Sequence, residues 1–490
     1  MRIPLDRQSE VPLYQQIESH LRKAILSGNL PSDTRLPASR QLARDLGVNR
    51  ATIENAYSAL EAEGLVFSKM GSGTYVLPVT SLPSIPKNDS DAPWPLWQSS
   101  LTTNHASSAD LEDDPPPTVH PRPISFASGV SDSRQFPVEE FRKVLQTVMR
   151  RDQIDSLEYG ERRGYAPLRK GIAQILASQG LQAHPENILI TAGSQQAIFL
   201  VAQVLLKPND IVLVEDPSYS VALDLFRSLG FQIIGIPVDG QGMQVEKLET
   251  LLQLHHPKLI YTIPNFHNPT GTCLSSARRR ELILLAGKYN VPILEDDFVG
   301  DLRYEGHTQP SLKSLDPGGQ VIYVGTFSKM LMPGLRVGFI VADGPVYDSL
   351  LNFKRLSDLA TSTLIQRALD AYMTVGRYQT YLHRSCQIFR ARRDAMVKAL
   401  KRHMPGSSFE IPKGGLFIWL RLPRALSASE LHPIAQKEGV SFAPGNSFFI
   451  DGKRGGDWLR LNFAAQPVED IEEGIKRLGA AVRHIKAKKK

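Results

Sequence analysis

Six short apolar runs recur through the last two thirds of this chain, and each stops at small or polar residues. They are Asn187–Thr191, Ile211–Glu215, Gln232–Pro237, Leu259–Ile263, Ile293–Asp296 and Val321–Val324. Stretches long enough for helices separate them. A strand covered on both faces reads as a nearly continuous apolar run, and strands that alternate with helices build a mostly parallel sheet. The pattern predicts an α/β domain whose functional groups gather at the carboxyl ends of its strands.

Polar clusters stand at those ends. The last run leads into Gly325-Thr326-Phe327-Ser328-Lys329, with Arg336 seven positions past the lysine. A lysine amine condenses with an aldehyde when burial or a neighbouring cation lowers its pKa, and an arginine fork suits a phosphate. Ser-Lys alone is most simply a solvated surface pair, so its companions decide. Ala192-Gly193-Ser194-Gln195 passes from strand to helix, where backbone amides and the Ser194 hydroxyl offer an anion cradle. A bare Gly-Ser is otherwise only a turn. Tyr219, in Asp216-Pro217-Ser218-Tyr219, either stacks on a flat ring or is an ordinary surface aromatic. The rigid turn Asn268-Pro269-Thr270-Gly271 fixes the Asn268 amide as a donor to a ring oxygen, with His267 a neighbour rather than a catalyst. Glu295-Asp296-Asp297-Phe298 follows a buried strand, where a carboxylate holds a pyridine nitrogen protonated.

With 490 residues there is room for two or three domains, and 42% hydrophobic with 22% charged residues is a globular composition. No apolar run approaches the roughly 20 residues of a membrane span. The opening Met1-Arg2-Ile3-Pro4-Leu5-Asp6 lacks the apolar core of a secretion signal. Two cysteines, Cys273 and Cys386, make neither a disulfide framework nor a zinc pattern. The expectation is a cytoplasmic protein without a metal. A net charge of +7 permits nucleic-acid binding without arguing for it.

The first segment, residues 1–77, has its own pattern. Leu13, Ile17, Leu21, Ala24 and Ile25 fall at helical spacing before Gly28. Leu36-Pro37-Ala38-Ser39 opens a second helix with Leu42, Ala43 and Leu46 on one face. Gly47-Val48-Asn49 turns, and Asn49 caps a third helix with the stripe Ile53, Ala56, Tyr57 and Leu60. Leu65-Val66-Phe67 and Thr74-Tyr75-Val76 flank Gly71-Ser72-Gly73 as a hairpin. The order predicts a winged helix-turn-helix, with the polar start of the third helix in the major groove. A small helical dimerisation or cap domain would use the same stripes. Residues 78–123 are rich in Pro, Ser, Asp and Thr and carry no amphipathic period. They form a linker spanning roughly 40 Å on average, with Trp94 and Trp97 free to dock on a folded surface. Residues 124–490 are the large domain.

Two resemblances follow from these residues. Leu36-Pro37-Ala38-Ser39-Arg40-Gln41-Leu42-Ala43, Leu46-Gly47-Val48-Asn49-Arg50-Ala51-Thr52-Ile53 and Glu63-Gly64-Leu65-Val66 resemble the DNA-binding domains of the GntR family. That implies contacts to double-stranded operator DNA at Arg40, Arg50 and Thr52, with a wing at Gly71, Ser72 and Gly73. Downstream, the order of phosphate turn, aromatic, Asn-Pro-Thr-Gly, strand aspartate, Ser-Lys and Arg resembles the fold-type I aminotransferases, which use pyridoxal 5′-phosphate. The match runs from Tyr159-Gly160 and Gly164-Tyr165-Ala166-Pro167-Leu168-Arg169 to Arg460-Leu461-Asn462-Phe463. It implies that Lys329 carries the internal aldimine, Asp296 faces the pyridine nitrogen, Asn268 faces the ring hydroxyl and Tyr219 stacks on the ring. Ser194, Gln195, Thr326, Ser328 and Arg336 would surround the phosphate, Tyr159 would reach in from a partner subunit, and Arg460 would clamp the carboxylate of an incoming amine. Where that family usually has a Tyr just after the strand Asp, this chain has Phe298, which removes a hydrogen bond to the ring hydroxyl.

The two ends together resemble the MocR/GabR family of bacterial transcriptional regulators. This implies a homodimer in which each head packs on the other subunit's large domain, with an amine or amino-acid effector, or pyridoxal phosphate itself, exchanging at Lys329. Two alternatives stand beside it. One is an active aminotransferase with a residual DNA-binding end. The other is a plain DNA-binding repressor whose large domain only dimerises.

Overall fold

The computed structural model describes residues 3–9, 11–69, 72–78 and 120–489. Gly71 of the expected wing and nearly all of the expected linker, including Trp94 and Trp97, lie outside the described residues. The chain divides into two compact units, Met1–His105 and Ala106–Lys490.

In the first unit, α1 (Leu13–Leu26) buries Ile17, Leu21 and Ile25. α2 (Ser39–Leu46) buries Leu42 and Ala43 and ends at Gly47, whose φ is 61°. Glycine takes that left-handed conformation without a side-chain clash, and the Val48 N–H closes on the Ala43 carbonyl at 3.0 Å. Asn49 then caps α3 (Arg50–Ala62), its side chain accepting from the Ala51 N–H at 3.2 Å. α3 buries Ile53, Ala56, Tyr57 and Leu60, the stripe read from the sequence. The Tyr57 hydroxyl donates to the Pro37 carbonyl at 2.8 Å and ties α3 to the segment before α2. β1 (Val66–Lys69) and β2 (Gly73–Val76) pair antiparallel, with Val66 opposite Val76.

The second unit opens with β3 (Ile124–Ser125). Its main sheet holds β4 (Ile188–Thr191), β5 (Ile211–Asp216), β6 (Gln232–Asp239), β7 (Gly242–Met243), β8 (Leu259–Thr262), β9 (Ile293–Asp297), β10 (Val321–Thr326) and β11 (Gly338–Val341). The spatial order is β4-β11-β10-β9-β8-β5-β6-β7. From β10 to β6 every neighbour is parallel. β11 runs antiparallel to both β10 and β4, and β7 runs antiparallel to β6. The six apolar runs are all strands of this sheet, and β7 and β11 are added to them. Because β11 reverses direction against both of its neighbours, β4 points the same way as β10. The carboxyl ends of β4, β5, β8, β9 and β10 therefore open on one edge, which is where a parallel sheet places its site.

A smaller antiparallel sheet uses β12 (Ser408–Phe409), β13 (Phe417–Arg421), β15 (Ala443–Pro444) and β16 (Trp458–Asn462), in the order β12-β13-β16-β15. β14 (Val440–Ser441) pairs in parallel with β3, so the segment around residue 125 is fastened to this part of the unit. Val214, Leu294 and Val324 of the main sheet share one apolar core with Ile418, Leu459 and Leu461 of the smaller sheet. That shared core fixes β16 against the edge where the large strands end.

Candidate active site and nucleic-acid interface

A cavity of about 140 Å³ lies at the carboxyl edge of the main sheet. Ser194, Tyr219, Asn268, Asp296 and Lys329, drawn from five separate stretches of sequence, all line it.

β9 brings Asp296 to the cavity. Alternation along a strand sends successive side chains to opposite faces, so Asp296 and Asp297 part company. Asp297 accepts from the Tyr323 hydroxyl at 2.9 Å and from the Asn265 amide at 3.3 Å. Asp296 accepts from the Tyr261 hydroxyl at 2.8 Å through Oδ2, while its buried Oδ1 has no hydrogen-bond partner. Burial pushes the Asp296 carboxyl up to about 7, aided by repulsion from Asp297 and Glu215 and opposed by the Tyr261 hydrogen bond and the Lys329 charge. A buried carboxylate oxygen with nothing to accept from is costly. It is a place for a protonated ring nitrogen.

Lys329 follows directly on β10, half-buried. A Cβ built on Gly129 would stand 3.7 Å from its Nζ, so the chain beside the amine is bare backbone. Arg460 of β16 is fully buried and lies outside the cavity lining, against Asn268 and Phe417, which do line it. It donates to Asn268 Oδ1 at 3.1 Å and to the Ala127 carbonyl at 2.6 Å. Its guanidinium lies 4.4 Å from the Phe417 ring centre and 4.9 Å from that of Phe448. Since an arginine only donates, the Asn268 atom that meets it is the carbonyl. The Asn268 amide is thereby left as the donor.

The anion cradle is built from the β4 end and the lysine loop. Ser194 begins the helix Ser194–Leu205 behind Gly193, whose φ is 92°. A Cβ at Gly193 would come 2.7 Å from the Arg336 guanidinium, so a side chain there would displace that arginine as well as strain a backbone that favours glycine. Arg336 donates to Ser328 Oγ at 3.3 Å and to the Ala192 carbonyl at 2.9 Å. The Ser328 N–H donates to Thr326 Oγ1 at 3.1 Å. Gln195 Oε1 is buried without a hydrogen-bond partner. A helix N-terminus, two hydroxyls and a fork of N–H donors suit a phosphate.

One expected residue, Tyr159, lies elsewhere. Tyr159 is 85% exposed and is not in the cavity. It shares a surface stretch with Ile154 and Leu157, and Thr363 Oγ1 holds that stretch through the Glu158 carbonyl at 3.0 Å. His267 is buried with Nε2 3.3 Å from Glu215 and Nδ1 2.9 Å from Thr270 Oγ1. It is a neighbour, as read. Phe298 lines the cavity in contact range of Phe417, their ring centres 6.5 Å apart. Sequence reasoning missed Tyr261, Gly129, Phe417 and the Ala127 carbonyl. Tyr261 offered one signal, a phenol hydroxyl within a buried strand.

In the first unit, Arg40 and Arg50 are exposed and Thr52 is half-buried near the start of α3. Arg50 Nε lies 2.7 Å from Glu54 Oε1. An exposed pair at this spacing is weak, so it orients the guanidinium without sequestering it. Ser72 Oγ meets the Tyr75 hydroxyl at 3.1 Å. Gly73 sits against Arg35, whose Nε would be 2.9 Å from a Cβ there. Arg35 was not among the expected contacts and adds an exposed cation beside the wing.

Comparison with known proteins divides the chain the same way. The model for aminotransferase class I and II matches residues 122–478, and that for the bacterial regulatory proteins of the gntR family matches residues 13–76. The uncharacterized HTH-type transcriptional regulator YdfD of Bacillus subtilis is 30% identical over 98% of both chains. The probable rhizopine catabolism regulatory protein MocR of Rhizobium meliloti is 31% identical, over 97% of this chain and 95% of its own. Among solved structures, kynurenine aminotransferase of Pyrococcus horikoshii in complex with PMP is 35% identical with a TM-score of 0.73, covering 79% of this chain and 96% of its own.

Proposed function

The chain belongs to the aminotransferase class I and II family and carries a gntR-family regulatory head, the MocR/GabR arrangement; from that premise we propose that its large unit holds pyridoxal phosphate on Lys329 and reports an amine or amino acid to the head. The observation that carries this reading is Asp296 Oδ1, buried and unpartnered in the cavity that Lys329 also lines.

Pyridoxal phosphate supplies an aldehyde that primary amines condense with and a ring that draws electrons. Lys329 holds that aldehyde. Asp296 keeps the ring nitrogen protonated, and Tyr261 keeps Asp296 aimed at it. Ser194, Gln195, Thr326, Ser328 and Arg336 bind the phosphate, Tyr219 covers a ring face, and the Asn268 amide donates to the ring hydroxyl. Arg460 takes the carboxylate of the effector, exchanging part of its donation to Asn268 and Ala127 for a charged acceptor. Phe298 presents a ring without a hydroxyl, which favours sensing over turnover of amino donors. A ligand can change operator affinity only through its differential affinity for two arrangements, typically 1–3 kcal/mol.

The head reads double-stranded operator DNA through Arg40, Arg50 and Thr52, with Ser72 and Gly73 at the wing. The exposed apolar residues Ile154, Leu157 and Tyr159 suit burial against a second copy, so the working species is a homodimer in which Tyr159 reaches the partner's site. Among the described residues no helix is long and apolar enough to cross a membrane, and a regulator of this kind works in the cytoplasm, where its DNA is.

Borohydride reduction of the protein loaded with pyridoxal phosphate, followed by peptide mass spectrometry, tests the reading. The adduct is expected on Lys329. An adduct on another lysine, or none, overturns it.

A further inference from the structure

A second and larger cavity, about 460 Å³, lies in the same unit and shares no lining residue with the cofactor cavity. One wall comes from the ends of β5 and β6, and the other from β12, β13 and β16 of the smaller sheet. The size is that of a site for a small organic molecule. Its apolar surface is aromatic. Trp419 and Trp458 stack with ring centres 5.3 Å apart, and Phe409 and Phe449 complete the wall.

Its charge is one-sided. Asp216, Asp239 and Glu410 line it, and none of its lining residues is basic. Two of these carboxylates are neutralised by arginines that are not among the lining residues, one of which, Arg454, lies 5.3 Å from the Phe449 ring centre. Arg278 binds both oxygens of Asp239, at 2.6 and 2.8 Å, and Arg454 pairs with Asp216. Arg421, which lies over Trp458, is paired with Asp457 at 2.7 Å. Glu410 has no cation within ion-pair distance among the described residues, and its carboxylate stands where a Cβ on Gly240 would touch it at 2.7 Å. The cavity therefore presents aromatic walls and one uncompensated negative charge.

We propose that this cavity is a second ligand site, for a small monocation with an apolar or aromatic body, held by the aromatic wall and by Glu410. Because its walls come from both sheets, an occupant ties them together. The proposal does not rest on the cofactor reading, and a probe that cannot condense with an aldehyde separates the two. Benzyltrimethylammonium has no N–H and is such a probe. Titrated into the full-length protein and followed by calorimetry and tryptophan fluorescence, it is expected to bind saturably at one site per chain. Binding should weaken at least tenfold in Glu410→Lys and less in Glu410→Gln, with thermal midpoints unchanged because Glu410 is exposed. It should persist in Lys329→Ala, and neutral benzyl alcohol should bind at least tenfold more weakly. Absence of saturable binding, equal affinity in Glu410→Lys, equal affinity for benzyl alcohol, or loss of binding in Lys329→Ala would each overturn the proposal.

Discussion

The two functional regions of this protein are built in opposite ways. In the head, the candidate DNA contacts Arg40 and Arg50 are exposed side chains on one short helix-turn-helix, and their positions follow from local signals such as the Asn49 cap and the left-handed Gly47. In the large unit, Asp296, Asn268 and Arg460 are buried, and each is held by a partner far away in sequence. Tyr261 meets Asp296 across 35 positions, and Asn268 meets Arg460 across 192. An exposed contact is available to its ligand at little cost to the fold. A buried one is part of the fold, so its perturbation changes stability, titration and binding together.

That contrast can be broken by experiment, and the buried side should give the larger effects. The first test is Asp296. Its folded carboxyl titrates at about 7, above the ordinary value of 3.8. A raised acid pKa means that the ligand-free protein is penalised once the group ionises, so the penalty grows as pH rises from about 4 to about 7. Denaturant unfolding of the ligand-free protein should show Asp296→Asn gaining stability on the parent across that window, by up to about 4 kcal/mol. Pyridoxal phosphate should reverse the ranking, since the variant loses the partner of the ring nitrogen. A constant difference between pH 4 and pH 8 would mean that Asp296 is not the strained group described here.

Gly193→Ala comes next. A methyl at φ 92° and 2.7 Å from Arg336 strains the backbone and displaces the guanidinium. A loss of about 1–3 kcal/mol is expected, together with weaker cofactor binding in an absorbance titration. Unchanged cofactor affinity would remove Gly193 from the cradle.

Arg50→Ala probes the other side of the comparison. Operator binding followed by fluorescence anisotropy should fall by about 1–3 kcal/mol. The unfolding free energy should stay within about 0.5 kcal/mol of the parent, because the residue is exposed. A large stability loss here would erase the distinction between the two regions. The smallest effect is expected of Phe298→Tyr, which restores a hydroxyl at the cavity wall. The visible band of the loaded protein should shift and amino-donor turnover should rise by about tenfold or less, on the order of 1 kcal/mol. No change in either would show that the hydroxyl cannot reach the ring.

Much of the architecture was legible before any coordinates. Five of the six apolar runs, β4, β5, β8, β9 and β10, are strands buried on both faces, and such a strand must be apolar throughout; the sixth, β6, is mostly half-buried. The stripe Ile53, Ala56, Tyr57 and Leu60 is buried because helical spacing puts those residues on one side. Ser194, Tyr219, Asn268, Asp296 and Lys329 could be singled out because each is a polar group placed just after an apolar run.

Sequence by itself determined where polar groups stand beside apolar runs, since residue type and local period act over a few positions. Only the tertiary structure decided which of those groups meet. Sheet order brings β8 beside β9 and so sets Tyr261 on Asp296 rather than on Asp297. The packing of β16 against the strand ends brings Arg460 to Asn268 and Ala127. No local preference encodes a meeting of residues hundreds of positions apart; it is fixed by the shared apolar core, which exists only once the two sheets have closed on each other.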